Sequence, residues 1–217
     1  MTAHPGLPAG CELRSSLTSP FGRKVRMALA LAGAQVALRH ADTMDPDDDL
    51  RRLNPLGKLP CLVLPDGVVL YDSRVILSWL DAVLGLSLWP AAPLARARED
   101  TRAVLADGVT DAALLMVYET RFREPQARSE RWMDHQAGKI ARALAALARD
   151  LPPNGARLRA SSLGLAAALD YLDWRQPVSW RDDHPALVDW QEAFNRHHPE
   201  LAATRFVPDT SATGAAT

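Results

Sequence analysis

Two short stretches in the first half of the chain combine residues that suit a small peptide ligand. The first is Asn-Pro-Leu-Gly-Lys-Leu-Pro at residues 54–60, directly before the apolar run at residues 61–64. A proline at the entry of a strand cannot donate to the sheet, and an X-Pro bond is the one peptide bond that adopts cis at low cost. We therefore predict a cis bond between Leu59 and Pro60 that leaves the Leu59 backbone N–H and C=O free to pair with an extended peptide.

The second stretch is Asp72-Ser73, which follows a strand-like segment and opens a predicted helix. The free N–H groups at a helix N-terminus attract anions, so Ser73 suits a carboxylate. Asp72 supplies a negative charge for an amine. Together the two stretches predict a site for a small peptide that carries both charges.

The elements that position these stretches follow from apolar periodicity and from Gly and Pro breaks. Ser19-Pro20 predicts a helix start, with serine as N-cap and proline at the first helical position. The predicted elements are, in order, a strand at residues 11–16, a helix from residue 19 to about 31, a strand at 36–40, a short helix at 50–53, a hairpin of 61–64 with 68–71, and a helix at 73–84. This order, βαβαββα, predicts a parallel first pair of strands with a right-handed crossover.

No strand signal follows residue 71, so the rest of the chain is predicted to be helical. Long helices are expected at about residues 94–122 and 129–147, with a further helix capped by Ser161 or Ser162 and another at 186–195. We predict a first domain at residues 1–84 with a frayed tail at 1–10, and a linker at 85–93. An all-helical domain at 94–207 and a disordered tail at 208–217 complete the chain.

The chain resembles the cytosolic glutathione S-transferases, and in particular bacterial members of the serine type. The resemblance rests on Ser-Pro-Phe-Gly-Arg-Lys-Val-Arg at residues 19–26, on residues 54–60 and on Tyr-Asp-Ser at 71–73, with further matches at 169–175 and 198–201. It implies an α/β thioredoxin-like N-terminal domain followed by an all-α C-terminal helical bundle. It also implies glutathione as co-substrate.

In the family that the chain resembles, the glutathione thiolate attacks an electrophile. A thiol with a pKa near ~8.5 is mostly protonated at neutral pH, and both a helix N-terminus and a donated hydroxyl hydrogen bond favour its thiolate. The resemblance places Ser19 where both act, so Ser19 is the predicted catalytic residue, as a donor to the thiolate and not as a nucleophile. Local sequence alone favours a simpler role for Ser19, as the N-cap of the helix. Ser16 and Thr18 are alternative hydroxyls in the same loop.

The resemblance also assigns the parts of glutathione. Leu59, beside Pro60, takes the cysteinyl part through its backbone, while Asp72 and Ser73 take the γ-glutamyl amine and carboxylate. Lys58 is the candidate for the glycyl carboxylate, although it reads equally well as a surface lysine.

Two departures from the family pattern stand out. The loop at residues 41–49, where relatives place a Lys or His for the glycyl carboxylate, is nearly all acidic here, which leaves His40 as a weak alternative. Arg159 and Ser162 stand where the family's sixth helix has its capping box of Ser or Thr and Asp, so we predict that this box is missing.

The electrophile is expected to be small and hydrophobic and to bind between the domains. The first long helix supplies its predicted wall, Leu114, Leu115, Tyr118 and Phe122, which equally suit helix packing.

Composition and residue types argue against several other classes of function. A net charge of −1 argues against a nucleic-acid partner, and no apolar run is long enough to span a bilayer. The cysteines, Cys11 and Cys61, predict buried thiols without a disulfide framework and a cytoplasmic setting, and no metal site is predicted. A serine in place of cysteine at residue 19 disfavours a thiol oxidoreductase. A glutathione-dependent peroxidase, isomerase or dehalogenase, and a non-catalytic glutathione-binding protein, remain alternatives, and the resemblance implies a homodimer.

Overall fold

The computed structural model describes residues 6–208, and its first part folds as the predicted βαβαββα unit. The elements are β1 (Glu12–Ser15), α1 (Pro20–Leu31), β2 (Ala37–His40), α2 (Leu50–Leu53), β3 (Cys61–Val63), β4 (Val69–Leu70) and α3 (Ser73–Leu84). The strands form one sheet of order β2-β1-β3-β4, in which β1 and β2 are parallel and the other neighbours antiparallel. The predicted order and the parallel pair are confirmed.

Within the described residues the second part contains helices joined by loops and no strand. Its elements are α4 (Pro93–Phe122), a 3-10 turn (Pro125–Ala127), α5 (Glu130–Arg149), α6 (Ala160–Arg175), α7 (Pro185–His197) and α8 (Pro199–Ala202). Helix α6 lies at the centre and packs on α4, α1 and α7. A Cβ on Gly164 would lie 3.2 Å from the Cβ of Ala106, so a glycine at this position lets α4 and α6 approach closely.

The start of α6 differs from the prediction. The helix begins at Ala160 with Arg159 at the N-cap, so neither Ser161 nor Ser162 is the cap. Half of a capping box is nevertheless present, because the Ser162 hydroxyl accepts the Arg159 N–H at 3.0 Å. An arginine side chain has no acceptor with which to complete the other half.

Residues from earlier in the chain satisfy the first amides of α6 instead. The carboxylate of Glu99, a buried residue of α4, accepts the Ser161 N–H at 2.7 Å, and the Ala160 N–H donates to the carbonyl of Leu88 at 3.2 Å. A negative charge at this helix end is also favoured by the helix dipole. In a capping box, a side chain at the helix start accepts the first amides. Here those amides are accepted by Glu99 of α4 and by Leu88, in the segment before α4.

Two buried cations of α1 join the two parts of the molecule. Arg23 forms an ion pair with Asp170 of α6 and donates to the carbonyl of Ala166 at 2.9 Å. Lys24 forms an ion pair of 2.5 Å with Asp107 of α4. These contacts fix α1, and with it the loop that precedes α1, against the helical part.

The ends of the chain only partly match the predicted tails. Leu7, expected in a frayed tail, is buried in the main apolar core, while residues 1–5 lie outside the described part. The predicted disordered tail at residues 208–217 falls outside the described residues except for Pro208. Within residues 6–208, no helix is both long and apolar enough to cross a membrane.

Candidate active site

Ser19 caps α1 and lies in the loop that joins β1 to this helix. Its Oγ accepts the Gly22 N–H at 3.1 Å, which leaves the hydroxyl proton available for another acceptor. A Cβ on Gly22 would lie 2.0 Å from the Ser15 Oγ and 3.2 Å from the Ser15 Cβ, so a side chain at this position would force β1 and the first turn of α1 to shift. The arrangement places a hydroxyl donor and a helix N-terminus together, as thiolate stabilisation requires.

The alternative hydroxyls of the loop are differently placed. The Ser16 Oγ and Thr18 Oγ1 are 3.1 Å apart, so the proton of one is committed to the other. Thr18 lies beside Ser19 in the wall of the neighbouring cavity, whereas Ser16 is not part of that wall. Ser19 therefore remains the predicted catalytic residue.

The predicted peptide-binding edge has the expected backbone. The Leu59–Pro60 bond is cis, as is the Tyr71–Asp72 bond. Within residues 6–208 the Leu59 backbone N–H and C=O form no hydrogen bond with the rest of the chain. The buried Asn54 side chain shapes the turn before them by donating to the Lys58 carbonyl at 2.9 Å.

Strand register brings the separate stretches to one end of the sheet. Leu62 pairs with Leu70 across the antiparallel strands β3 and β4, so the segment that enters β3 at Leu59 and the segment that leaves β4 toward α3 lie at the same end of the sheet. On its other side β3 pairs Cys61 with Arg14 in the antiparallel sense, so the end of β1, from which the Ser19 loop leaves, is at this same end of the sheet. The loop before α1, the segment at Leu59 and the start of α3 therefore lie at one end of the sheet.

The predicted γ-glutamyl residues lie at the start of α3. Ser73 is the first residue of the helix and is buried, while Asp72 is its N-cap. The Asp72 carboxylate accepts from the Arg74 N–H at 2.9 Å and from its guanidinium at 3.0 Å. Burial alone would raise the Asp72 pKa, but these hydrogen bonds outweigh it and lower the pKa. An incoming amine would share Asp72 with Arg74.

The candidates for the glycyl carboxylate are exposed. Both Lys58 and His40 face solvent, and neither makes a side-chain hydrogen bond or ion pair within residues 6–208. Both remain predictions.

Asp111 of α4 lies close enough to Lys58 and Arg74 to interact with them, Asp107 lies close enough to Arg74, and neither aspartate was predicted as a site residue. The Asp111 pKa is raised by burial and by its neighbour Asp107, while Lys58, Lys24 and Arg74 act in the opposite direction. The i, i+4 spacing of the two aspartates on a long helix was the available sequence signal.

A narrow, partly open cavity lies between the two parts, beside Ser19, and its free space is about 20 Å³. One wall is the loop at residues 17–20 with Arg23. The opposite wall is α6, and the cavity is closed by the chain after α8. The lining residues from these two regions are Ala167, Asp170, Tyr171, Trp174, Arg205 and Phe206. The Trp174 and Phe206 rings lie 4.6 Å apart between centroids, so the cavity has an aromatic side.

The predicted electrophile wall on α4 is not part of this cavity. Leu114, Leu115, Tyr118 and Phe122 do not line it, and Phe122 is 54% exposed. Tyr118 packs edge-on against Phe122 at 5.4 Å and lies near Tyr171. Burial raises the Tyr171 pKa, and Tyr118 adds to that shift despite the Arg175 guanidinium. The α4 wall stays a prediction, and the wall beside Ser19 comes from α6 and the chain end, which sequence reasoning missed.

The two cysteines are buried free thiols, as predicted. Burial raises the pKa of Cys61 to about 11, and burial, with a contribution from Asp66, also raises that of Cys11. Both therefore stay protonated at neutral pH. Within residues 6–208 no group of three or more His, Cys, Asp or Glu side chains is arranged to hold a metal ion.

The fold is a mixed four-stranded sheet with a cis proline before β3, joined to a helical bundle. This is the architecture that the sequence resemblance predicts. The family model described as "Glutathione S-transferase, N-terminal domain" matches residues 18–83. An uncharacterised GST-like protein, YibF, from Escherichia coli K12 is 30% identical over 202 residues, which cover 88% of this chain and 100% of the relative. The chain belongs to the glutathione S-transferase family.

Crystal structures of relatives agree with this assignment. A glutathione transferase family member from Pseudomonas fluorescens Pf-5, with bound glutathione, has a TM-score of 0.84 and 40% identity, covering 92% of this chain and all of that one. A second structure of a Pseudomonas fluorescens Pf-5 family member contains S-(propanoic acid)-glutathione, with a TM-score of 0.79, 40% identity, and coverage of 90% and 99%.

Proposed function

We propose that the protein is a glutathione transferase that joins the glutathione sulfur to a small electrophile. The observation that carries this proposal is the position of Ser19. Its hydroxyl caps α1, keeps its proton free, and lies in the wall of the cavity between the two parts. Glutathione-bound relatives of this fold support the choice of thiol.

The proposed binding mode follows the sheet edge. The cysteinyl part pairs with the free Leu59 N–H and C=O, while the γ-glutamyl carboxylate meets the N-terminus of α3 at Ser73. This orientation points the sulfur at the neighbouring Ser19 loop.

The chemistry needs a thiolate at neutral pH. Lowering a thiol pKa by about 2 units requires roughly 2.7 kcal/mol of preferential thiolate stabilisation. The N-terminus of α1 contributes about 0.3–2 kcal/mol and a charge-assisted hydrogen bond from Ser19 about 1.5–3 kcal/mol. Together they reach the required size without a general base.

The electrophile lies at the mouth of the cavity beside Ser19. The cavity itself has only about 20 Å³ of free space, but the Trp174 and Phe206 rings on its aromatic side suit a flat molecule that lies against them. The relative that holds a propanoic acid group on the glutathione sulfur supports a small substituent at this place.

The test is steady-state conjugation of glutathione to a panel of electrophiles, beginning with a chlorinated nitroaromatic, together with calorimetric titration of glutathione. We expect saturable binding and turnover above the uncatalysed rate. Tight glutathione binding without turnover of any electrophile would instead favour a non-catalytic binding protein. Turnover confined to peroxides or to isomerised or dehalogenated products would favour the alternative glutathione-dependent reactions.

We also propose a homodimer that pairs through the groove between α3 and α4. Apolar side chains make up more than half of the groove lining, with Arg74, Arg96 and Asp100 among the rest, and Val75 and Val104 are 48% and 51% exposed. The double substitution Val75→Asp and Val104→Asp is expected to shift the protein from dimer to monomer in sedimentation velocity, because charge would be buried in the interface. Leu38→Asp, on the far edge strand at 44% exposure, is the matched control. A wild-type monomer, or a dimer unaffected by the double substitution, would rule out this interface.

A further inference from the structure

The cavity beside Ser19 has an excess of positive charge. Arg23 and Arg205 line it, and Arg175 stacks on its wall residue Trp174, with the guanidinium carbon 3.6 Å from the ring centroid. The one carboxylate in the cavity wall is Asp170, and it is already in an ion pair with Arg23. The cavity therefore has more cations than its own carboxylate can neutralise.

Arg26 adds a cation to the same region. Its guanidinium donates to the carbonyls of Thr204 and Leu17, each at 2.9 Å. Within residues 6–208 it forms no ion pair with a carboxylate. Burial, with the repulsion of Arg23, lowers its pKa to about 10, so Arg26 stays charged at neutral pH. This charge also favours an anion nearby.

Arg205 is the cation best placed to meet a ligand. Its side chain is 45% exposed, and its nearest carboxylate oxygen, on Asp170, is 3.8 Å away. Gln191 already donates to the Asp170 carboxylate at 2.6 Å, in addition to Arg23. Arg205 can therefore turn to a new anion without leaving a carboxylate unpaired.

The aromatic residues next to Arg205 define the rest of the ligand. Phe206 follows it in the chain and packs on Trp174, and Tyr171 packs edge-on to Trp174 at 6.0 Å. Flat conjugated groups stack well on such rings. Loop residues Thr18 and Ser19 form the opposite wall, on the side where the proposed function places the sulfur.

We propose that the preferred electrophile bears a carboxylate on a flat conjugated frame, with the carboxylate held by Arg205 and the frame against Trp174 and Phe206. This inference rests on the proposed function and adds the chemical class of the second substrate. Arg205 is the specificity-determining residue, and the carboxylate itself takes no part in the bond changes.

The reaction with a chloronitrobenzoate shows the balance. The glutathione sulfur forms a bond to the ring carbon that bears chlorine, and the carbon–chlorine bond breaks with its electron pair, releasing chloride. The proton of the glutathione thiol goes to solvent when the thiolate forms. No oxidant or reductant is involved.

The test compares a chloronitrobenzoate with its uncharged amide, each corrected for its uncatalysed rate. We expect the wild-type kcat/KM to favour the carboxylate by about tenfold, which is the lower range for a charge-assisted contact because Arg205 is half-exposed. Arg205→Gln should remove most of this preference and Arg205→Lys should restore part of it. Arg196→Gln, an exposed arginine on α7, is the matched control and should leave the preference as in wild type.

A second measurement needs no variant. Benzoate should inhibit competitively against a neutral electrophile more strongly than benzamide does. Equal kcat/KM values for the carboxylate and the amide, or an equal loss of both in Arg205→Gln, would overturn the inference. The proposed function would still hold in either case if neutral electrophiles were turned over. Absence of turnover with every electrophile would overturn both.

Discussion

Replacing Ser19 with alanine is expected to lower kcat/KM for glutathione conjugation by about 10- to 100-fold and to raise the pKa of the bound glutathione thiol by about 1–2 units. The reason is the loss of one charge-assisted hydrogen bond to the thiolate, worth about 1.5–3 kcal/mol. Titration of the thiolate ultraviolet absorbance in the complex measures the pKa, and steady-state kinetics measure the rate.

Ser19 is also the N-cap of α1, so its two roles must be separated. Alanine at an N-cap costs about 0.5–2 kcal/mol of stability, whereas glycine costs only a few tenths. Ser19→Gly should therefore be folded almost as stably as wild type and yet lose as much activity as Ser19→Ala. Ser16→Ala and Thr18→Ala are the controls for the neighbouring hydroxyls. A larger loss of activity in either control than in Ser19→Gly would move the catalytic role to that residue.

Arg23→Met is expected to lower the free energy of unfolding by about 3–5 kcal/mol. The substitution leaves Asp170 buried without its main counter-charge and removes the hydrogen bond to the Ala166 carbonyl. Urea unfolding followed by circular dichroism measures the change.

A surface ion pair provides the comparison for Arg23. Arg39 is 61% exposed and lies 3.7 Å from Glu12, so Arg39→Met should cost less than about 1 kcal/mol. Adding Asp170→Asn to Arg23→Met should cost less than the sum of the two single substitutions, because both remove the same pair. Similar small losses for Arg23→Met and Arg39→Met would show that the buried pair does not hold the two parts together.

Local signals were enough to predict most elements of the fold. The Ser19-Pro20 pair marked the start of α1, and the Pro-Asp-Gly turn at residues 65–67 marked the hairpin of β3 and β4. Prolines at positions 93 and 185 coincide with the starts of α4 and α7. These signals act within a few residues, so reading them needs no knowledge of the tertiary structure.

The start of α6 and one wall of the cavity depend instead on residues far apart in the chain. Arg23 and Lys24 look like solvent-facing charges in the sequence, and only the packing of α1 on α4 and α6 shows them to be buried. Arg205 and Phe206 meet Ser19 across more than half of the chain's length. Short matching motifs show which residues are shared with a family, but they carry no information about which of those residues meet in this chain.

The first two amides of α6 donate to Leu88 and Glu99, so the central helix is completed by groups that precede it by a long stretch of chain. A fragment that begins after α5 lacks both acceptors and must leave these amides to water. Any dissection of this protein into shorter pieces, or any rearrangement of its termini, therefore needs to keep α4 and the segment before it on the same folding unit as α6.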